Sequence, residues 1–122
     1  MRWSSGCARE LFDLPDAPRP AADTPAPVRF LPEYDNVLLS HDDRSRFVSD
    51  EDRASLVQGW TVGWGAVLDD GIVRGRWRLE AEGVVVRYVS LPKRALASIT
   101  AEGRRLARFL EADAPDVRLV RL

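Results

Sequence analysis

Residues 60–80 read Trp-Thr-Val-Gly-Trp-Gly-Ala-Val-Leu-Asp-Asp-Gly-Ile-Val-Arg-Gly-Arg-Trp-Arg-Leu-Glu, and the pairing of this stretch with itself decides the fold. Asp70-Gly71 lies between two apolar-rich runs, the strongest short-range signal for a two-residue hairpin turn. Pairing Asp69 with Ile72 sets Leu68 opposite Val73, Ala66 opposite Gly75, Trp64 opposite Trp77 and Val62 opposite Leu79. All of these fall on one face, because strand side chains alternate. The other face receives Arg74, Arg76 and Arg78, opposite Val67, Gly65 and Gly63. A three-residue loop would put Arg76 opposite Trp64 and mix the faces, so the two-residue register is the expected one.

The arginine row poses the first functional question. Alternate strand residues are about 7 Å apart, comparable to the phosphate spacing along one nucleic-acid strand, and the glycines opposite leave room for another backbone. The competing reading is a solvated face with arginine stems lying over those glycines. Charge runs are usually surface, so the residues alone favour the solvated face.

Working outward, Glu82-Gly83 turns the chain into a third strand, Val84 to Val89, whose Val-Val-Val-Arg-Tyr-Val run has strand composition. Ser90 and Pro92 open a helix over about 92–112. Its Leu96, Ile99, Leu106 and Leu110 form one stripe, and Gly103 on that stripe allows close approach to the sheet. Pro115 stops the helix, and Val117 to Leu122 reads as a last short strand. On the other side, Val28 to Leu31 is a short strand ended by Pro32. Ser40 with Asp43 and Ser49 with Asp52 have capping-box-like spacing. Residues 1–27, broken by Pro15, Pro18, Pro20, Pro25 and Pro27, read as a proline-rich arm with Leu11, Phe12 and Leu14 as its apolar anchor. The expected fold class is α+β: an antiparallel sheet or small barrel-like meander, with one C-terminal helix packed on it, over residues 28–122.

The totals bound the function. A chain of 122 residues and 13.7 kDa, 45% hydrophobic and 30% charged, is a single domain able to bury a modest core. No apolar run reaches the length of a membrane span, and no signal peptide precedes the domain, so no membrane partner and a cytoplasmic location are expected. Cys7 alone allows neither an internal disulfide nor a cysteine zinc site. The net charge of −1 excludes a strongly basic nucleic-acid binder, but the charge is unevenly placed. Residues 28–60 hold four basic and seven acidic residues, whereas residues 92–122 hold seven basic and four acidic.

His41-Asp42-Asp43, with Asp35 nearby, is the one cluster resembling a catalytic or metal site. Adjacent residues in a turn point apart, and Ser, Asp and Asn crowd caps and turns, so a structural role is favoured over a small hydrolase. Asp35 and Asn36 are expected to anchor local backbone hydrogen bonds. Adjacent Ser40 and His41 do not meet the spatial logic of a triad. No phosphate loop or dinucleotide fingerprint is present, and neither a metal nor a cofactor is expected.

Three stretches carry a resemblance: Arg-Glu-Leu-Phe-Asp-Leu-Pro-Asp-Ala-Pro (9–18), Arg-Phe-Leu-Pro-Glu-Tyr-Asp-Asn-Val-Leu-Leu-Ser-His-Asp-Asp-Arg (29–44) and Asp-Gly-Ile-Val-Arg-Gly-Arg-Trp-Arg (70–78). They resemble the C-terminal portion of the bacterial winged helix DNA-binding domain-containing proteins, a family similar to the AlkZ/YcaQ crosslink-unhooking DNA glycosylases. Glu102 to Leu110 also fits, so the resemblance covers about residues 9 to 122, and the first eight residues are expected to form no element. It implies duplex DNA as a weak, non-specific partner and a winged-helix region preceding this domain as a second. It also implies a structural role for Asp35, Asn36, Asp70, Gly71 and Trp77. The hairpin becomes the counterpart of the family's DNA-facing hairpin, so Arg74, Arg76 and Arg78 become candidate phosphate contacts, with His41, Arg44 and Arg46 second. The family's Gln-x-Gln-type catalytic motif has no counterpart: Gln58 is the single glutamine. The expectation is a non-catalytic, DNA-facing domain. The alternative is a scaffold or protein-interaction module with no DNA binding of its own.

Overall fold

The structure, a computed structural model, describes residues 2–4, 10–35, 48–49 and 63–122. Two short strands, β1 (Arg2–Ser4) and β2 (Glu10–Phe12), pair antiparallel as a separate small sheet. A strand therefore occupies part of the segment expected to form no element. The main body is a five-stranded sheet of β3 (Arg29–Leu31), β4 (Gly65–Asp69), β5 (Ile72–Glu80), β6 (Gly83–Tyr88) and β7 (Asp116–Arg121), in that spatial order. One helix, α1 (Lys93–Phe109), links β6 to β7.

The α+β class holds, with two refinements. The sheet is open, since β3 and β7 lie at opposite edges. It is also mixed, since β6 and β7 run parallel while the other neighbours are antiparallel. The parallel pairing follows from the connection: a helix crossing one face returns the chain to the starting end of the sheet, which a tight turn cannot do.

Asp70 and Gly71 form the two-residue turn, with φ of 51° and 77°, and Asp69 pairs with Ile72 and Leu68 with Val73 as expected. Beyond that point the register departs from the sequence reading. Val67 pairs with Gly75, Ala66 with Arg76 and Gly65 with Trp77, so Arg74 is the extra residue of a β-bulge. One extra residue exchanges the faces of everything beyond it. Trp64 and Trp77 consequently lie on opposite faces. The exchange sets the large indole of Trp77 across from a residue with no side chain. A Cβ at Gly65 would stand 2.3 Å from Trp77 Nε1 and 2.2 Å from the Leu31 carbonyl oxygen. In that space Trp77 Nε1–H donates to the Leu31 carbonyl at 2.8 Å, and the ring tilts against Phe30 at 5.8 Å between centroids.

The main core lies between the sheet and α1. Ala95, Ile99 and Ala107 of the helix pack on Val67, Val84, Val86 and Val28, with Phe30, Trp77, Val117 and Leu119 around them. The buried helix stripe is Ala95, Ile99, Gly103 and Ala107, spaced by four. It is narrower than the expected leucine stripe: Leu96 and Leu106 flank it, and Leu110 is exposed. Small residues let the helix lie close. A Cβ at Gly103 would meet Val117 Cγ2 at 2.8 Å, which is the close approach expected of that glycine. The helix ends at Phe109, and Glu111 just beyond it holds φ of 53°, with Ala112 N–H donating to the Ala107 carbonyl and Glu111 N–H to the Arg108 carbonyl. A smaller apolar group, Val48, Ala66, Leu68 and Val73 with Leu31 and Val89, occupies the other face near the turn.

Candidate nucleic-acid interface

Past the bulge, β5 alternates Gly75, Trp77 and Leu79 toward α1 with Arg76, Arg78 and Glu80 away from it. The pairing carries this pattern across two more strands. Arg76 lies opposite Arg87 of β6, and Arg78 lies opposite Val85, which lies beside Arg118 of β7. The sheet face away from the helix therefore gathers Arg76, Arg78, Arg87 and Arg118, against the carboxylates Glu80 and Asp116. The basic surface is a patch spanning three strands, where the sequence suggested one row along a single strand.

The arginines are held in different ways. Arg78 Nε–H donates to Glu80 Oε1 at 2.8 Å, its Nη2 reaches the same oxygen, and Arg118 Nη2 donates to Glu80 Oε2 at 3.2 Å. The hydrogen bond from Arg78 is the largest cause holding the Glu80 carboxyl below the usual carboxylate range, and the charges of Arg78, Arg118 and Arg87 act in the same direction. The guanidinium carbons of Arg78 and Arg87 stand 4.5 Å and 4.6 Å from the centre of the Trp64 ring, a cation–π geometry. Trp64 itself is buried, so the guanidiniums and not the indole meet solvent. Arg76 is buried at 9% exposure. Its guanidinium is pushed below its ordinary value, first by burial and second by the charge of Arg87.

Of the candidates read from sequence, Arg78 is exposed, Arg74 is half-buried at the bulge, and Arg76 is buried rather than open to solvent. The expected bare glycines do not lie beneath them, because the bulge turns Gly65 to the helix side. Asp70 and Gly71 form the hairpin turn, Trp77 is in the main core, and Asp35 is half-buried after β3. His41, Arg44, Arg46 and Asn36 lie outside the described residues, as do Gln58, Asp42 and Asp43. The sequence reading missed Arg87 and Arg118. Their signal was parity with Val85 and Val120 in two strands whose register had not been assigned. Arg104, Arg105 and Arg108 are exposed on α1, away from this patch.

Among the described residues no three metal-ligating side chains converge, and no helix is long and apolar enough to cross a membrane. A family model of AlkZ-like DNA glycosylases matches residues 4–109, most of the chain. The chain belongs to the AlkZ-like DNA glycosylase family. Among solved structures, the DNA glycosylase AlkZ of Streptomyces sahachiroi shares its fold, with a TM-score of 0.58 and 24% identity. That likeness covers 79% of this chain and 26% of the Streptomyces protein, so this AlkZ-like chain spans about a quarter of that protein's length. Comparison with curated protein sequences returned no match.

Proposed function

We propose that this AlkZ-like chain is a non-catalytic, DNA-facing domain that holds duplex DNA weakly and without sequence preference, through phosphate contacts from the sheet face opposite α1. Arg78, Arg87 and Arg118 are the principal contacts. The observation that carries this reading is their convergence on one sheet face, exposed, in a member of a DNA glycosylase family. Guanidiniums on a flat sheet suit phosphate oxygens, which position a protein on DNA without reading bases. The single glutamine, Gln58, leaves no Gln-x-Gln pair in the chain to direct a water at a glycosidic bond.

The test is a salt titration of binding to a fluorescent duplex, followed by anisotropy. Three arginines meeting two or three phosphates give a log–log slope of about −1.8 to −2.7, at about 0.9 per phosphate. Replacing Arg78, Arg87 and Arg118 together with alanine should flatten that slope. Replacing Arg104, Arg105 and Arg108 on the helix should leave it, since the charge change is equal but on another surface. Equal weakening by the two sets would assign the affinity to diffuse charge and sink the proposal.

A second reading has its own observation. Phe12 and Leu14 are 75% and 73% exposed. The segment holding them is clasped by Arg19, whose Nη2 donates to Asp13 Oδ2 at 3.0 Å and to the Leu14 carbonyl at 2.8 Å. An ordered apolar display of this kind suits a scaffold or protein-interaction module. No DNA binding even at low salt would favour it.

A further inference from the structure

Glu80 is placed between Arg78 and Arg118 in the way a phosphodiester would be. Each of its carboxylate oxygens serves one arginine, Oε1 taking Arg78 and Oε2 taking Arg118. The two arginines belong to β5 and β7, with β6 between them, so one anion bridges three strands. A phosphodiester also offers two charged, non-bridging oxygens and one negative charge. It can accept from the same pair of guanidiniums. The arginine side chains are open to such a competitor, at 43% and 60% exposure. Arg87, which stands with Arg78 over the Trp64 ring, has no carboxylate placed in that manner by the strand pairing: its neighbours across β5 and β7 are Arg76 and Val120.

We infer that Glu80 is an internal phosphate mimic: it occupies a two-arginine phosphodiester site formed by Arg78 and Arg118, and sets how tightly this face holds DNA. The inference rests on the DNA-facing reading. Binding of DNA at this site exchanges the carboxylate for a backbone phosphate, and Glu80 swings toward solvent. The exchange is nearly balanced, because carboxylate and phosphate each form an exposed, solvent-screened ion pair with the same two guanidiniums. Weak binding by the native chain follows from that balance, and the site is set against its own ligand by one residue.

The experiment compares Glu80→Gln with Glu102→Gln in the full 122-residue chain, using the same fluorescent duplex and salt series. Glu102 pairs with Arg105 on α1, so the second variant makes the same charge change elsewhere. Glu80→Gln should tighten binding at every salt concentration, by up to about fivefold for release of an exposed ion pair, with the log–log slope keeping its native value because the same phosphates are neutralised. Glu102→Gln should leave the affinity unchanged. Adding Glu80→Gln to the Arg78→Ala, Arg118→Ala double variant should have no effect. Equal gains from the two glutamine variants, no gain from Glu80→Gln, or a gain that survives loss of both arginines each overturns the inference. If the native chain binds through Arg78, Arg87 and Arg118 yet Glu80→Gln gains nothing, the mimic alone falls. If neither the native chain nor Glu80→Gln binds at low salt, the mimic and the DNA-facing reading both fall. Binding by Glu80→Gln alone supports the mimic and overturns weak DNA binding by the native chain.

Discussion

Gly65→Ala tests the register that separates the two tryptophans. The added methyl would stand 2.2 Å from the Leu31 carbonyl oxygen, 2.3 Å from Trp77 Nε1 and 2.8 Å from Trp77 Cε2. The first of these is backbone of the neighbouring strand, so it cannot turn aside as a side-chain tip can. The indole is held by its hydrogen bond to that same carbonyl and by Phe30. Relieving the clash therefore displaces the ring, loses the hydrogen bond, or spreads β3 from β4. The hydrogen bond contributes about 1 kcal/mol and overpacking costs about 1–3 kcal/mol, so the expected loss is about 2–4 kcal/mol. A domain of this size has a stability of about 6–18 kcal/mol, and the variant should still fold. With a urea m-value of about 2 kcal/mol/M, its unfolding midpoint should fall by about 1–2 M, read by tryptophan fluorescence and circular dichroism together. Trp77→Phe removes the indole N–H and much of the steric conflict. In that background Gly65→Ala should cost less, by a coupling of about 1 kcal/mol. A native-like midpoint for Gly65→Ala, or simple additivity with Trp77→Phe, would mean that the indole does not occupy the space beside residue 65, and the bulged register would be wrong.

Arg76→Ala should destabilise by about 1–2 kcal/mol through lost packing of its buried stem, while exposed Arg78→Ala should change stability by less than about 0.5 kcal/mol. Equal urea midpoints for the two variants would contradict the burial of Arg76. Glu80 has a folded-state pKa below its unfolded value, so its bridge stabilises the fold above the ordinary glutamate range. That contribution is lost as pH falls through that range to the depressed value. In a carboxyl-carbon NMR titration Glu80 should ionise at unusually low pH, and Arg78→Ala should return it toward the ordinary range more than Arg118→Ala does. An ordinary value in the native chain would show that the bridge does not persist in solution.

The hairpin turn, the third strand, the helix and the closing strand were legible because each rests on local chemistry: Asp70-Gly71, the Val84–Val86 run, Pro92 and Pro115. The bulge was not. Placing two tryptophans on one apolar face looked self-consistent, and alternation alone cannot register an extra residue. The available hint was Gly75, since a glycine inside a strand often marks a bulge. That single residue reassigned Arg76 from the open face to a buried position. The parallel strand was half-legible: a strand, a helix and a strand in succession are a crossover, but Val117–Leu122 was too short to show its direction. The patch containing Arg87 and Arg118 depends on pairing between strands far apart in sequence, which no local pattern records.

The parallel strand β7 also bears on biosynthesis. β6 carries three consecutive buried valines, Val84, Val85 and Val86, and one of its edges is completed only by Asp116–Arg121, which is made after the whole of α1. While the ribosome is still making those residues, β4, β5 and β6 can already pair, but the valine strand ends the sheet with open backbone groups. Such an edge can template pairing with another nascent chain. β7 is thus a seal that arrives late: until it emerges behind α1, the buried valine run keeps an uncovered edge.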